Sequence, residues 1–156
     1  MISLCVCAFN EAWRILPMLE SVLGYCGEVV LTDHGSTDET AHVVRKWCAA
    51  NGMPLNVISE ERTENFPESV RQRGFDAAKG DWILCLDADE LLDRSALPEN
   101  LDEADCWKLL RVSMLFDGVT VPDAFWIEFH LRTFRYGFAT WPKVMHTAPG
   151  LIVSSR

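Results

Sequence analysis

The chain has 156 residues, a length that suits one domain and is too short for two independent hydrophobic cores. Hydrophobic residues make up 49% and charged residues 24%, without a long Ser, Gly or Pro tract, so the composition is globular rather than disordered. The net charge of -9, concentrated in residues 1–104, argues against a nucleic-acid backbone or an anionic membrane surface as a partner, because either needs a basic face.

Strand-like apolar runs begin near Ile2, Glu28, Pro54 and Asp81, and helix-like segments lie between them. Consecutive strand–helix units require right-handed crossovers and produce a mainly parallel sheet. The first ninety or so residues are therefore predicted to form an α/β sheet.

Each connecting segment has its own helix signals. The second helix is predicted to begin at Ser36, because Ser36 and Glu39 match a capping box. The third is predicted over residues 67–79, with Gly74 at a close packing contact and Gly80 as its C-cap. The first is predicted to end at Gly24 and to bury a stripe formed by Leu16, Leu19, Val22 and Leu23.

The regular alternation of helix and strand ends after Asp89. Residues 106–112 and 125–135 have strand patterns, with turn signals at residues 117–118, 122–123 and 136–137. The rest of the chain is therefore predicted to be β-rich with irregular loops.

Polar residues follow three of the predicted strands, at residues 8–11, 33–36 and 87–90. Open α/β sheets bind ligands beyond the carboxyl ends of their strands, so these three segments should share one site. Asp87 and Asp89 end an apolar strand, where their mutual repulsion is costly unless a cation or ligand neutralises it. The pattern predicts a ligand site and, at its centre, a metal site.

The six cysteines lack the CxxC spacing of zinc sites, and we interpret them as buried reduced thiols. The first residues begin a strand instead of a signal peptide, and no apolar run reaches the roughly 20 residues of a membrane span. We expect a cytoplasmic protein without an integral membrane segment.

Three segments together, residues 2–11, 33–40 and 80–90, resemble the nucleotide-sugar-dependent glycosyltransferases of family 2, which have the GT-A fold. Residues 131–135 and His146 also resemble a late strand and a histidine of related bacterial sugar transferases. The resemblance implies a Rossmann-like mixed sheet flanked by helices, with a β-rich C-terminal part. Residues 1–156 would form one domain, in which 1–92 bind the nucleotide sugar and metal and 93–156 face the acceptor.

The resemblance also implies roles for single residues. Asp33 would contact the base or ribose, because a carboxylate accepts hydrogen bonds from uracil N–H or ribose hydroxyls. Arg73 would stack on the base or pair with phosphate, whereas Arg71 is interpreted as a solvated charge on a helix face. The full implied nucleotide-contacting set is Ala8, Asn10, Glu11, Asp33, Ser36, Arg73, Asp87 and Ala88.

Asp87 and Asp89 match the family's Asp-x-Asp motif, which holds a divalent ion on the diphosphate of the donor. Carboxylate oxygens favour Mn²⁺ or Mg²⁺ over zinc, and His146 would complete the metal site. The alternative for this motif is a charged loop that caps the next helix. The acceptor hydroxyl also needs a base, for which Asp123 and Glu128 rank above Asp117.

The leading hypothesis is a metal-dependent, inverting glycosyltransferase that moves a sugar from a nucleoside diphosphate donor, a UDP-sugar in particular, to an acceptor hydroxyl. The acceptor would be a saccharide, a lipid-linked molecule or a protein. One alternative is a catalytically silent nucleotide-sugar binding module, suggested by the short C-terminal part. Another is a phosphohydrolase of the haloacid dehalogenase type, which also has Asp-x-Asp after an apolar strand.

Overall fold

The computed structural model describes residues 1–62, 68–112, 127–140 and 150–151. Its first part alternates four strands with three helices: β1 (Ile2–Ala8), α1 (Ile15–Ser21), β2 (Glu28–Asp33), α2 (Thr40–Ala50), β3 (Leu55–Ser59), α3 (Glu68–Ala77) and β4 (Trp82–Asp87). Two short 3₁₀ turns, Arg94–Ala96 and Leu101–Glu103, then lead to β5 (Cys106–Val112), β6 (Ile127–Arg135), β7 (Ala139–Thr140) and β8 (Gly150–Leu151).

One mixed sheet contains the first six strands, in the order β3-β2-β1-β4-β6-β5. The pairs β1–β2, β1–β4 and β2–β3 are parallel, as the strand–helix alternation predicted. Strand β6 then pairs antiparallel with both β4 and β5. The predicted mixed α/β sheet with a β-rich C-terminal part is therefore confirmed.

The two faces of the sheet bury separate sets of apolar side chains, because successive residues of a strand point to opposite faces. On one face, Leu4, Val6, Val29 and Leu84 pack with side chains of α1 and α2. On the other face, a smaller core includes Phe75 and Ala78, in and just after α3, and Phe134 of β6. Position along a strand thus decides which set of helices a side chain meets.

The predicted start of the second helix and the predicted stripe and end of the first need correction. Helix α2 begins at Thr40 and not at Ser36, because the Ser36 hydroxyl accepts from the Asn10 backbone N–H while Asp38 accepts from the Thr40 backbone N–H.

Of the stripe predicted for the first helix, Leu19 and Val22 are fully buried and Leu23 is partly buried, but Leu16 is exposed. Helix α1 buries Ile15 and Met18 as well, and it ends at Ser21 and not at Gly24.

Gly74 and Gly80, the two glycines predicted to have a role in the third helix, both lie in close contact with a neighbouring strand. A Cβ added to Gly74 would meet Thr32 Oγ1 at 2.8 Å, which confirms the predicted close packing at Gly74 and shows that the neighbour is β2. The predicted C-cap role of Gly80 is wrong, since α3 ends at Ala77. A Cβ on Gly80 would instead meet the Met1 carbonyl oxygen at 2.8 Å and the Ser3 nitrogen at 2.9 Å, beside β1.

Among the described residues, no helix has the length and apolar character needed to cross a bilayer.

Candidate active site

The ends of β1, β2 and β4 lie side by side at one edge of the sheet. Ala8 is opposite Asp33 in the β1–β2 register, and Cys7 is opposite Asp87 in the β1–β4 register. The polar segments that follow these strands therefore come together, as the sequence predicted. This edge is where an open α/β sheet binds its ligand.

Asn10 joins the loop after β1 to the loop after β2. Its φ of 56° is in the left-handed region, which asparagine adopts more readily than most residues. The Asn10 side-chain oxygen accepts from the backbone N–H groups of Thr37 at 2.8 Å and Asp38 at 3.3 Å. Its own N–H donates to the Ser36 hydroxyl at 3.0 Å. Asn10 and Ser36, both predicted to contact the nucleotide, thus fix the two loops that surround the sheet edge.

Asp33 ends β2 and is buried beside these loops. Its Oδ1 accepts from the Ser36 backbone N–H at 3.1 Å, the geometry of a local turn. The neighbouring His34 is 2% exposed, and its Nε2 has no hydrogen-bond partner within the described part of the chain. The sequence had given no reason to single out His34.

Asp87 lies between two buried arginines. It follows Ile83 and Cys85 on the α3 side of β4, where Arg71 of α3 pairs with its Oδ1. Nη2 of Arg132, on the neighbouring β6, lies 3.3 Å from Asp87 Oδ2. The two arginine side chains are only 10% and 8% exposed, so the interpretation of Arg71 as a solvated charge is wrong.

Glu90 completes this buried ion cluster. Its Oε1 pairs with Arg132, and its Oε2 accepts from the Asp87 backbone N–H at 2.9 Å. Burial by itself would raise the pKa of Asp87, but Arg71 and Arg132 outweigh it and hold that pKa below its ordinary value. Burial opposes the charge of Arg71, and Asp87 nevertheless raises the pKa of the guanidinium. Asp87, Arg71 and Arg132 are therefore charged at neutral pH.

Asp89 has a different environment from Asp87. Its side chain is 53% exposed, compared with 29% for Asp87. Its Oδ2 lies 3.3 Å from Nη1 of Arg14, a residue just before α1 that also pairs with Glu11. Of the two carboxylates in the motif, Asp89 is therefore the more accessible to an incoming ion.

The fit to a divalent cation rests on these carboxylates. Among the described residues, no group of three or more His, Cys, Asp and Glu side chains is placed to hold a metal. Mg²⁺ bound with nucleotides commonly uses only one or two protein carboxylates, together with phosphate oxygens and water. An exposed Asp89 beside Asp87 fits that pattern, in which the substrate supplies the remaining ligands.

The other predicted residues differ in their positions. Arg73 is largely exposed and pairs with Glu60, which follows β3, so it lies towards the outer edge of the sheet. Ala88 is buried and packs in the core next to α1 and α2, which leaves its backbone for any ligand contact. Glu128 lies in β6, where only its backbone is described. Asp117, Asp123 and His146 lie outside the described residues.

Comparisons with known proteins show the family of the chain. Residues 3–148 match the model of glycosyl transferase family 2. Over 157 residues the chain is 31% identical to the lipopolysaccharide core biosynthesis glycosyltransferase LpsC of Rhizobium meliloti, covering 97% of this chain and 57% of LpsC. The chain spans about a third to somewhat more than half of the length of the first relatives that it matches.

Two solved structures extend the comparison. TarS residues 1–349 of S. aureus, in complex with UDP-GlcNAc, superpose with a TM-score of 0.62 at 27% identity, over 78% of this chain and 37% of TarS. The mannosyltransferase PcManGT of Pyrobaculum calidifontis, in complex with GDP-Man and Mn²⁺, superposes with a TM-score of 0.50 at 27% identity, over 58% of this chain and 28% of PcManGT.

Proposed function

Because the chain belongs to glycosyl transferase family 2, we propose that it transfers a sugar from a nucleoside diphosphate donor to an acceptor hydroxyl. The observation that carries the proposal is the shared sheet edge, where Asp33 ends β2 and Asp87 and Asp89 lie at the end of β4, on opposite sides of β1. The complexes of TarS with UDP-GlcNAc and of PcManGT with GDP-Man support a nucleotide-sugar donor, and the higher TM-score of TarS favours UDP.

We assign the nucleoside to the part of the edge formed by β1 and β2. Among the described residues, Asp33 accepts a hydrogen bond only on Oδ1, from the Ser36 backbone N–H, so Oδ2 can accept from a base N–H or a ribose hydroxyl. Asn10 and Ser36 hold the surrounding loops, which keeps that carboxylate in place before the donor arrives. Contacts of the donor with Ala8, Glu11 and Arg73 remain predictions.

We assign the diphosphate to the neighbouring part of the edge, after β4. A divalent ion there, Mn²⁺ or Mg²⁺, would neutralise the charge that grows on the leaving diphosphate. Asp89 is its best-placed ligand, because Asp87 is already paired with Arg71 and Arg132. The roles of Asp87 and His146 as further ligands remain predictions, and the Mn²⁺ in the PcManGT complex supports the choice of ion.

The reaction also needs a proton acceptor. The acceptor oxygen forms a bond to the anomeric carbon as the bond from that carbon to the diphosphate breaks, and a base takes the hydroxyl proton. We retain Asp123 and Glu128 as the candidate bases and inversion as the expected outcome. The nature of the acceptor and a cytoplasmic location likewise remain proposals.

Asp89→Asn tests the metal assignment. We expect Mn²⁺-dependent binding of UDP, measured by calorimetry, to weaken by at least about tenfold, or about 1.4 kcal/mol, because a neutral amide is a poorer ligand for a hard cation than a carboxylate. Asp102→Asn is the matched control, since Asp102 is also exposed and paired with an arginine, Arg135, but lies beside β5 and β6, away from the strand tips of the site. Equal UDP binding by Asp89→Asn and the wild type would contradict the assignment.

Turnover separates the enzyme from a silent binding module. A glycosyltransferase should hydrolyse a UDP-sugar slowly in the absence of acceptor, whereas a binding module should bind the donor and leave it intact. Release of UDP from a panel of UDP-sugars with Mn²⁺, followed by coupled detection, distinguishes the two. The family membership favours either of these over a phosphohydrolase.

A further inference from the structure

Arg14 is held in a fixed orientation next to Asp89. Its Nη2 donates to Glu11 Oε1 at 2.7 Å, and its Nε pairs with the other oxygen of the same carboxylate. This two-point contact orients the guanidinium plane. The remaining nitrogen, Nη1, lies 3.3 Å from Asp89 Oδ2.

Glu11 is itself anchored, so the position of Arg14 does not depend on Asp89. The Glu11 backbone N–H donates to the Thr40 hydroxyl at 2.8 Å, and Thr40 is the fully buried first residue of α2. The Glu11 carbonyl accepts from the backbone N–H groups of Arg14 and Ile15. Arg14 is therefore a cation that the loop after β1 holds at the proposed metal site.

Arg14 and a divalent ion would compete for the same oxygen atom, Oδ2 of Asp89. An ion bound at Asp89 would replace the contact of Oδ2 with Nη1 and would place a second positive charge close to the guanidinium. Both effects oppose binding of the ion alone. The diphosphate of a donor reverses the balance, because its negative charge attracts the ion and the guanidinium together.

We propose that Arg14 competes with the divalent ion for Asp89 and, once the ion has bound, donates its Nη1 hydrogens to the donor diphosphate. Glu11 keeps the guanidinium in place during this exchange of partners. Ion and donor should then bind cooperatively, each more tightly in the presence of the other. This inference rests on the proposed function and adds a donor-binding residue to it.

The test uses Arg14→Gln and the wild type after treatment with a chelator. Binding of Mn²⁺ without nucleotide is measured from the free-ion signal in electron paramagnetic resonance. The variant should bind Mn²⁺ about two- to fivefold more tightly than the wild type, which is the upper range for the loss of one exposed ion pair. UDP titrated at saturating Mn²⁺ should bind the variant about tenfold more weakly, because a charge-assisted hydrogen bond is lost.

Two further variants make the result specific. Arg135→Gln removes an arginine of almost equal exposure, 37% against 35%, that pairs with Asp102 and Asp105 away from the strand tips of the site, and it should change neither affinity. Arg14→Lys keeps the charge but not the two-point contact with Glu11. It should retain weak Mn²⁺ binding and lose UDP affinity. Thermal melting checks that each variant is folded.

The outcomes separate this inference from the proposed function. Failure of the wild type to bind either UDP or GDP with Mn²⁺ would count against the proposed function, whereas the comparison of Mn²⁺ affinities would still decide whether Arg14 competes. Mn²⁺ binding by Arg14→Gln alone would support the competition. Equal Mn²⁺ affinities in the two proteins, or no binding by either, would overturn it.

Discussion

Asp87 keeps its charge in a mostly buried position because Arg71 and Arg132 face it from two elements, α3 and β6. Removal of one member of a buried ion pair leaves the partners uncompensated, which costs more than the pair itself contributes. Asp87 is thus expected to serve stability as well as ligand binding. The same pairing explains why Asp89 is the more exposed carboxylate of the motif.

Asp87→Asn should lower the free energy of unfolding at pH 7 by about 3 kcal/mol, because both arginines lose their counter-charge. The pKa of Asp87 is depressed in the folded protein, so its contribution is present above the unfolded pKa and is lost as the pH falls. The difference between wild type and variant should therefore narrow below about pH 4. Urea unfolding between pH 7 and pH 3 measures it, and a difference independent of pH would contradict the role of the charge.

At the residue scale, the sequence identified the carboxylates but not their partners. Asp33, Asp87 and Asp89 were predicted because each follows an apolar strand, a pattern visible in a short window. Arg71 was misread and the pairing of Arg132 was missed, because the former contacts Asp87 from another element and the latter is 45 residues away. A pattern within a short stretch of sequence cannot indicate an ion pair between residues of different elements.

At the scale of elements, Gly80 allows the turn before β4 to pack closely against β1. Its Cα lies where any side chain would collide with the backbone at Met1 and Ser3. The Gly80 N–H also donates to the Ser3 hydroxyl at 2.8 Å. Strand β4 can therefore begin in register with β1 only if residue 80 has no Cβ.

Gly80→Ala should destabilise the protein by about 1–3 kcal/mol, as expected when a side chain is forced into a filled space. Lys79→Ala, at the exposed neighbouring position, is the control and should change stability by less than about 0.5 kcal/mol. Guanidinium unfolding measures both variants. Equal stability of the two would show that β1 can move away from Gly80.

The start of α2 illustrates the limit of local signals for elements. Ser36 and Glu39 have the spacing of a capping box, yet the Ser36 hydroxyl accepts from Asn10 in a different loop. The hydroxyl of a serine can accept a hydrogen bond either from the first turn of a helix, as a cap, or from the backbone of another loop. Only the position of the other loop decided between them.

At the scale of the whole molecule, β6 joins the later part of the chain to the parallel sheet. Phe134 of β6 is fully buried and packs edge-to-face on Phe75 of α3, with ring centroids 5.1 Å apart. Arg132, two residues earlier on the same strand, reaches Asp87. The core on the α3 face and the ion cluster are thus parts of one packed unit.

Phe134→Ala should reduce the free energy of unfolding by about 3–5 kcal/mol through the cavity that it leaves. It should also weaken UDP binding, because β6 carries Arg132 to the candidate site. The exposed Tyr136→Ala is the control, with an expected cost below about 1 kcal/mol. Calorimetric unfolding and UDP titration test both effects, and unchanged UDP affinity in a destabilised Phe134→Ala would separate the core from the site.

The sequence by itself determined the four parallel strands, the sheet edge at which Asp33, Asp87 and Asp89 lie, and the family. Alternation of apolar strands and helices restricts the connections to a few topologies, and parallel strands place their carboxyl ends together. The tertiary structure alone decided that Asp87 is neutralised by Arg71 and Arg132 whereas Asp89 faces Arg14 and solvent. The reason is that the charge state and accessibility of a carboxylate depend on side chains from distant segments, which meet only when the sheet and helices have packed.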